Sequence, residues 1–127
     1  MAYFESHFFS DMLGLSVSAA VVLPQKTVRQ IGMEGAAGEF AEGARYPVLY
    51  LLHGAGYCDD SWTSVGRAHD ILDNLIAAKK AKPMIVVMPA GHDSKFAFGR
   101  PKGDAAPAAR FEDDFEKDLR PHIEKTY

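Results

Sequence analysis

Chemistry enters this sequence most plainly at His53-Gly54-Ala55-Gly56, a histidine followed by three residues with little or no side chain. Residues of that kind let backbone N–H groups approach a bound anion closely, because no bulky side chain stands between peptide and ligand. Two kinds of anion use such a turn. A dinucleotide pyrophosphate asks for G-x-G-x-x-G with an acidic residue about twenty positions later. Gly54-Ala-Gly56 fits its opening, but Asp59 stands in the third glycine's place, and Asp70 and Asp73 fall inside a helical pattern. The oxyanion formed when a nucleophile adds to an ester carbonyl asks only for N–H donors fixed where charge develops. His53 to Gly56 suits the second demand better.

The turn needs a strand to carry it and neighbours to hold it. Tyr46-Pro-Val-Leu-Tyr-Leu-Leu-His53 is almost without polarity and has the length of a strand covered on both faces of a parallel sheet, so a strand over 47–53 is expected. From Arg67 to Lys80, Ala68, Ile71, Leu72, Leu75 and Ile76 form one apolar stripe at helical spacing, with Pro83 expected to stop the helix. Met84 to Met88 gives a second apolar strand, and strand, helix and strand make one right-handed parallel crossover. Upstream, Tyr3–Met12 and Leu15–Pro24 are strand-like runs joined at Gly14, and Val17, Ala19, Val21 and Leu23 alternate with their neighbours as a hairpin strand does. Downstream, Phe111, Phe115, Leu119 and Ile123 recur every fourth residue on a helix that Pro121 must bend or restart. The acidic residues Glu112, Asp113, Asp114, Glu116 and Asp118 on its other faces read as a solvated surface. The glycine- and alanine-rich stretch from Gln25 to Arg45 reads as a loose connection, and Lys95 to Ala109 as a surface excursion.

These residues together, Tyr46 to Gly56, Trp62, Gly66 to Ala77 and Lys82 to Gly91, resemble the esterase family of α/β-hydrolases that includes feruloyl and acetyl-xylan esterases, tributyrin-type esterases and S-formylglutathione hydrolase. The opening from Phe8 and the closing stretch from Phe111 to Tyr127 are also similar to it. The resemblance implies an α/β fold comprising the amino-terminal half of an α/β-hydrolase sheet: an antiparallel hairpin, parallel strands and flanking helices. It implies a serine carboxylic ester hydrolase acting on a small ester substrate. Gly54, Ala55 and Gly56 would supply the oxyanion hole, and Tyr57, Trp62 and His92 would border the substrate pocket. In this family the G-x-S-x-G nucleophile elbow, the acid and the catalytic histidine come later in the chain. No G-x-S-x-G occurs in the 127 residues, so the chain alone is expected to be inactive. The family order also places the strand from Val48 between the Met84 strand and the nucleophile strand. Without that neighbour it would be an exposed apolar edge, from which a homo-oligomer or a non-catalytic interaction module is the alternative expectation.

Other constellations carry less. Gly14-Leu-Ser-Val-Ser18 imitates an elbow, but Ser18 replaces its closing glycine and the motif starts a strand. Cys58, Asp59 and Asp60 lie together without a zinc-site spacing, so no metal and no cofactor are expected. His92 beside Asp93 has no nucleophile to activate. A chain with 47% hydrophobic and 24% charged residues is globular in composition, and its formal net charge of -3 gives no reason to expect nucleic acid or an anionic membrane. One cysteine excludes an internal disulfide. Met1 stands almost directly on the first strand, which favours a cytoplasmic product, or a secreted one whose signal was removed.

Overall fold

The computed structural model describes residues 1–24, 45–54, 57–91 and 107–127. The expected connection over 25–45 and most of the excursion over 95–109 therefore lie outside the described residues. Four strands form one sheet: β1 (Ala2–Ser10), β2 (Leu15–Leu23), β3 (Val48–Tyr50) and β4 (Ile85–Pro89), in the order β1-β2-β4-β3. β1 and β2 make the expected antiparallel hairpin, closed by a backbone bond from Gly14 to Ser10 with Gly14 at φ 68°. β2 runs antiparallel to β4, and β3 runs parallel to β4.

Because side chains alternate along a strand, each face of the sheet has its own core. Ala19, Val21, Ile85 and Val87 pack on one face with Leu119 and Ile123 of the carboxyl-terminal helix, and Ala20, Val22, Val86 and Met88 pack on the other with Leu72. β1 follows the same rule. Ser6 bonds His122, Phe8 stacks on its ring at 4.5 Å and Ser10 bonds Asp118, while Met1 pairs with Asp73 on the opposite face. Hence β4 is buried along its whole length.

β3 departs from the expected strand. Its ladder covers only Val48–Tyr50, with flanking bonds from the Ile85 N–H to the Pro47 carbonyl and from the Leu51 N–H to the Val87 carbonyl, and Val48, Leu49 and Leu52 are 37%, 40% and 50% exposed. The apolar run suits a strand covered on both faces, and the exposure is the one expected of it without its family neighbour. Among the described residues only β4 pairs with β3, so the outer side of the strand is left open.

Two short helices and a long one complete the layers. α1 (Ser61–Ser64) and α2 (Ala68–Ala77) follow β3. α2 sets Leu72 and Ile76 against the sheet, but Ile71 and Leu75 of the predicted stripe stay exposed, since the stripe is wider than the contact. The helix ends before Pro83: Lys79 turns left-handed at φ 55° and the N–H groups of Lys80 and Ala81 close on the Leu75 carbonyl. The long helix starts earlier than its apolar spacing indicates. α3 spans Pro107–Asp114, with proline at the first position where its missing N–H costs nothing, so 107–109 belong to a helix and not to a surface excursion. It widens into a π-turn over Phe115–Leu119 and continues as α4 (Arg120–Thr126). Pro121 has no N–H for the carbonyl one turn back and would crowd it, and the wider turn just ahead absorbs that clash without breaking the helix. Glu112, Asp113 and Glu116 are exposed as expected, and Lys117 and Arg120 pair with Asp113 and Glu116. Asp114 is a correction: it is 4% exposed, turned in toward Ser10.

No helix among the described residues is long and apolar enough to cross a membrane.

Candidate active site

In a parallel pair, the carboxyl ends of both strands open on the same edge, and the site forms where β3 and β4 end. β3 delivers His53 and Gly54, and β4 delivers Ala90 and Gly91. His53 binds the two ends together. Its Nδ1 lies 2.8 Å from the Gly54 carbonyl oxygen, and its Nε2 contacts the Ala90 carbonyl oxygen. Whichever ring nitrogen carries the hydrogen, its acceptor is a main-chain carbonyl, so the ring acts as a positioning clamp. Gly91, at φ 61°, permits that approach: a Cβ there would lie 3.3 Å from His53 Nε2 and 3.5 Å from the Phe111 ring. The Tyr57 N–H donates to the Gly54 carbonyl at 3.2 Å and closes the turn.

Below the turn lies a cleft of about 330 Å³ lined by His53, Gly54, Tyr57, Trp62 and Val65 among others. Trp62 is held by its indole N–H, which donates to the Leu52 carbonyl at 2.9 Å, and its ring forms a wall of the cleft. Trp62 thus packs against the end of the β3 segment and walls the cleft in one arrangement. Gly66 must stay small, since a Cβ would stand 2.9 Å from the Trp62 carbonyl. Tyr57 is exposed over the opening. Ser61 also lines the cleft, with its Oγ accepting the Cys58 N–H at 3.0 Å.

The sequence-predicted residues divide accordingly. Gly54, Tyr57 and Trp62 come together at one cleft, while Ala55, Gly56 and His92 lie outside the described residues, as does Asp93. Ser16 sits in the β1–β2 ladder opposite Phe9, as the strand reading requires. His69 and Asp70 belong to α2, where Asp70 pairs with Arg67 and has its carboxyl held below the usual range by that hydrogen bond. The ligand atoms of Cys58, Asp59 and Asp60 lie within 4.8 Å of one another. The Cys58 thiol, however, donates to Asp60 Oδ1 at 2.8 Å, and that contact pushes it up, away from the thiolate a metal would take. Sequence reasoning missed Gly91 and the Ala90 carbonyl as parts of the site. The signal was present in Pro89-Ala-Gly91, a small-residue turn at the end of a buried strand.

A mixed sheet in the order β1-β2-β4-β3, with a glycine turn clamped at the carboxyl end of β3 and helices on both faces, defines an α/β-hydrolase-type fold. The family described as "Putative esterase" matches residues 11–127, and the chain belongs to it. The chain is 38% identical over 122 residues to the endo-1,4-beta-xylanase/feruloyl esterase of Xylanibacter ruminicola, covering 94% of this chain and 15% of that protein. Among solved structures, a ferulic acid esterase superposes with a TM-score of 0.74 at 28% identity over 99% of this chain and 44% of its own. The fold alone is shared with the ferulic acid esterase of Anaeromyces mucronatus, solved in complex with ferulic acid, at a TM-score of 0.71 and 23% identity, covering 99% of this chain and 43% of that one. The chain thus spans less than half the length of these relatives.

Proposed function

We propose that these residues supply the oxyanion-binding part of a serine carboxylic ester hydrolase that acts on feruloyl or acetyl esters, with Gly54, Ala55 and Gly56 donating N–H groups and Tyr57, Trp62 and His92 bordering the acyl group. The observation that carries this reading is the His53 clamp. The Gly54 carbonyl, held against the His53 ring and by the Tyr57 N–H, gives the small-residue turn a fixed starting point, which is what donors that must meet a developing negative charge require. The apolar cleft beside the turn suits an aromatic or short acyl group. The attacking serine, its base and its acid come from outside the 127 residues, and the feruloyl esterases among the relatives support the ester class.

The test compares p-nitrophenyl acetate and methyl ferulate turnover by the 127-residue chain and by a protein joining it at Tyr127 to the segment that follows the matched stretch in the Xylanibacter ruminicola relative. Turnover is expected only from the joined protein. Turnover by the chain alone, lost on Ser61→Ala, would place the nucleophile inside it and overturn the reading.

A second reading is carried by the exposure of Val48 and Leu49 on a strand that, among the described residues, has one free side: copies of this chain pair through β3. Sedimentation should then show a dimer that Val48→Lys converts to monomer, and a wild-type monomer at all concentrations would exclude it.

A further inference from the structure

A second cleft lies behind the ester cleft, and α1 is the partition between them. Ser61 and Trp62 line the site described above, whereas Asp60, Thr63 and Ser64 line an open cleft of about 410 Å³ together with Tyr3 and Glu5 of β1 and His69 of α2. We propose that this second cleft holds a sugar residue of a polysaccharide. The proposal rests on the esterase reading, in that the polymer bound here would be the one carrying the ester.

The lining has the chemistry that a neutral sugar needs. A sugar ring presents a weakly apolar C–H face and a rim of hydroxyls, each both donor and acceptor. Tyr3 offers a ring that is 40% exposed and stands 6.5 Å from the His69 ring at 50°, which makes an aromatic corner. Glu5 and Asp60 are exposed carboxylates, acceptors for several hydroxyls at once. Burial raises the Tyr3 phenol; Thr63 opposes this by hydrogen bonding, and Glu5, Asp59 and Asp60 add to it, so the hydroxyl stays a donor. His69 brings its ring to the cleft wall, with Nε2 3.4 Å from Asp70 Oδ1 and Nδ1 buried with no hydrogen-bond partner among the described residues. The cleft is lined by no lysine or arginine among the described residues, which rules against an anionic ligand. Its volume falls within the ordinary span of small-ligand sites.

Affinity electrophoresis of the 127-residue chain in native gels containing soluble arabinoxylan tests this without any need for turnover. Retardation is expected, unchanged at high salt because the ligand is uncharged. Tyr3→Ala should weaken it roughly 5–10-fold through loss of the stacking face, Asp60→Asn and Glu5→Gln should weaken it as well, and Tyr3→Phe should retain most of it. Because p-nitrophenyl acetate contains no sugar, the joined protein carrying Glu5→Gln should hydrolyse it at the wild-type rate. No retardation of the wild-type chain, retardation unchanged in Tyr3→Ala and Asp60→Asn, or retardation abolished by salt would each overturn the proposal. If the gel shows specific retardation while the joined protein turns over no ester, it is the esterase reading that falls.

Discussion

Replacing His53 by alanine tests the whole account of the site, because the ring is both a structural tie and the device that orients the turn. It contacts the carbonyls of Gly54 and Ala90, one at the end of each parallel strand. A hydrogen bond of this kind contributes about 0.5–1.5 kcal/mol net, and stranding a partly buried acceptor costs about 1–3 kcal/mol. With Ala90 half-buried, a loss of about 1–3 kcal/mol is expected for His53→Ala, a fall in Tm of roughly 3–12 °C for a chain of this size. Catalysis should suffer more. A displacement of ~1 Å of positioned groups costs about 100-fold in rate, similar to the loss of one oxyanion donor. In the joined protein, kcat on p-nitrophenyl acetate should therefore fall about 100-fold with KM little changed, since the donors act on the transition state. His53→Gln, whose side-chain amide can donate to one of the two carbonyls, should recover part of both. A His53→Ala protein that melts several degrees lower yet keeps its kcat would refute the orienting role.

The buried carboxyl of Asp114 gives a prediction whose sign follows from its environment. Burial first, and the neighbouring Asp118 after it, raise its pKa, while Ser10 opposes them by hydrogen bonding. In the window between the ordinary carboxylate value and the raised one, the folded chain binds more protons than the unfolded chain, so this group's contribution to stability falls as pH rises. Asp114→Asn should gain stability over wild type at neutral pH and lose that advantage in acid; chemical denaturation midpoints measured across the acid range check this, and a constant difference would contradict it. Gly91→Ala should cost about 1–2 kcal/mol for the left-handed backbone alone. Because its Cβ would press on His53 Nε2, it should lower turnover as well as Tm, and a change in Tm without a change in kcat would separate the two effects.

Periodicity located the hairpin, the crossover helix and β4 because each satisfies its pattern with contacts made inside the chain. β2 and β4 are buried on both faces by helices also present. It overestimated the length of β3, because apolar composition records what a strand is suited to pack against and not whether the partner is near, while the exposed outer edge agrees with the expectation for this strand without its family neighbour. The stop of α2 was also misplaced: Pro83 is the visible breaker, but Lys79 ends the helix first through a left-handed turn that no residue type announces. Asp114 was hidden for the converse reason. An aspartate in an acidic run reads as solvated, and only the fold shows that its position faces Ser10. At the site, Gly54 and Trp62 were legible from spacing, whereas the Ala90 carbonyl and Gly91 join it through β-sheet register, a relation between segments far apart in sequence.

The open edge of β3 and the incomplete site are physically one problem. Among the described residues, the strand that leads into the proposed oxyanion turn is tied to the sheet on one side only, through Val48↔Ile85, Leu49↔Val86 and Tyr50↔Val87. Tyr50 adds a second unmet demand: its hydroxyl is buried without a hydrogen-bond partner among the described residues, and burial raises its pKa. A strand laid along the outer edge would satisfy backbone groups, cover Val48 and Leu49, and bring its own carboxyl end beside Gly54, where an attacking group has to stand. Stabilisation and catalytic assembly then arise from the same contact. By linkage, a ligand that binds only the folded chain stabilises it by about 2.7 kcal/mol at a hundred times its Kd. A peptide matching the strand that follows the matched stretch in the Xylanibacter ruminicola relative should therefore raise Tm with concentration, and its copy with N-methylated alternate amides should not, because it cannot form the ladder. Equal stabilisation by both peptides would mean that the apolar face, and not the edge, is what they cover, and the link between pairing and site assembly would fail.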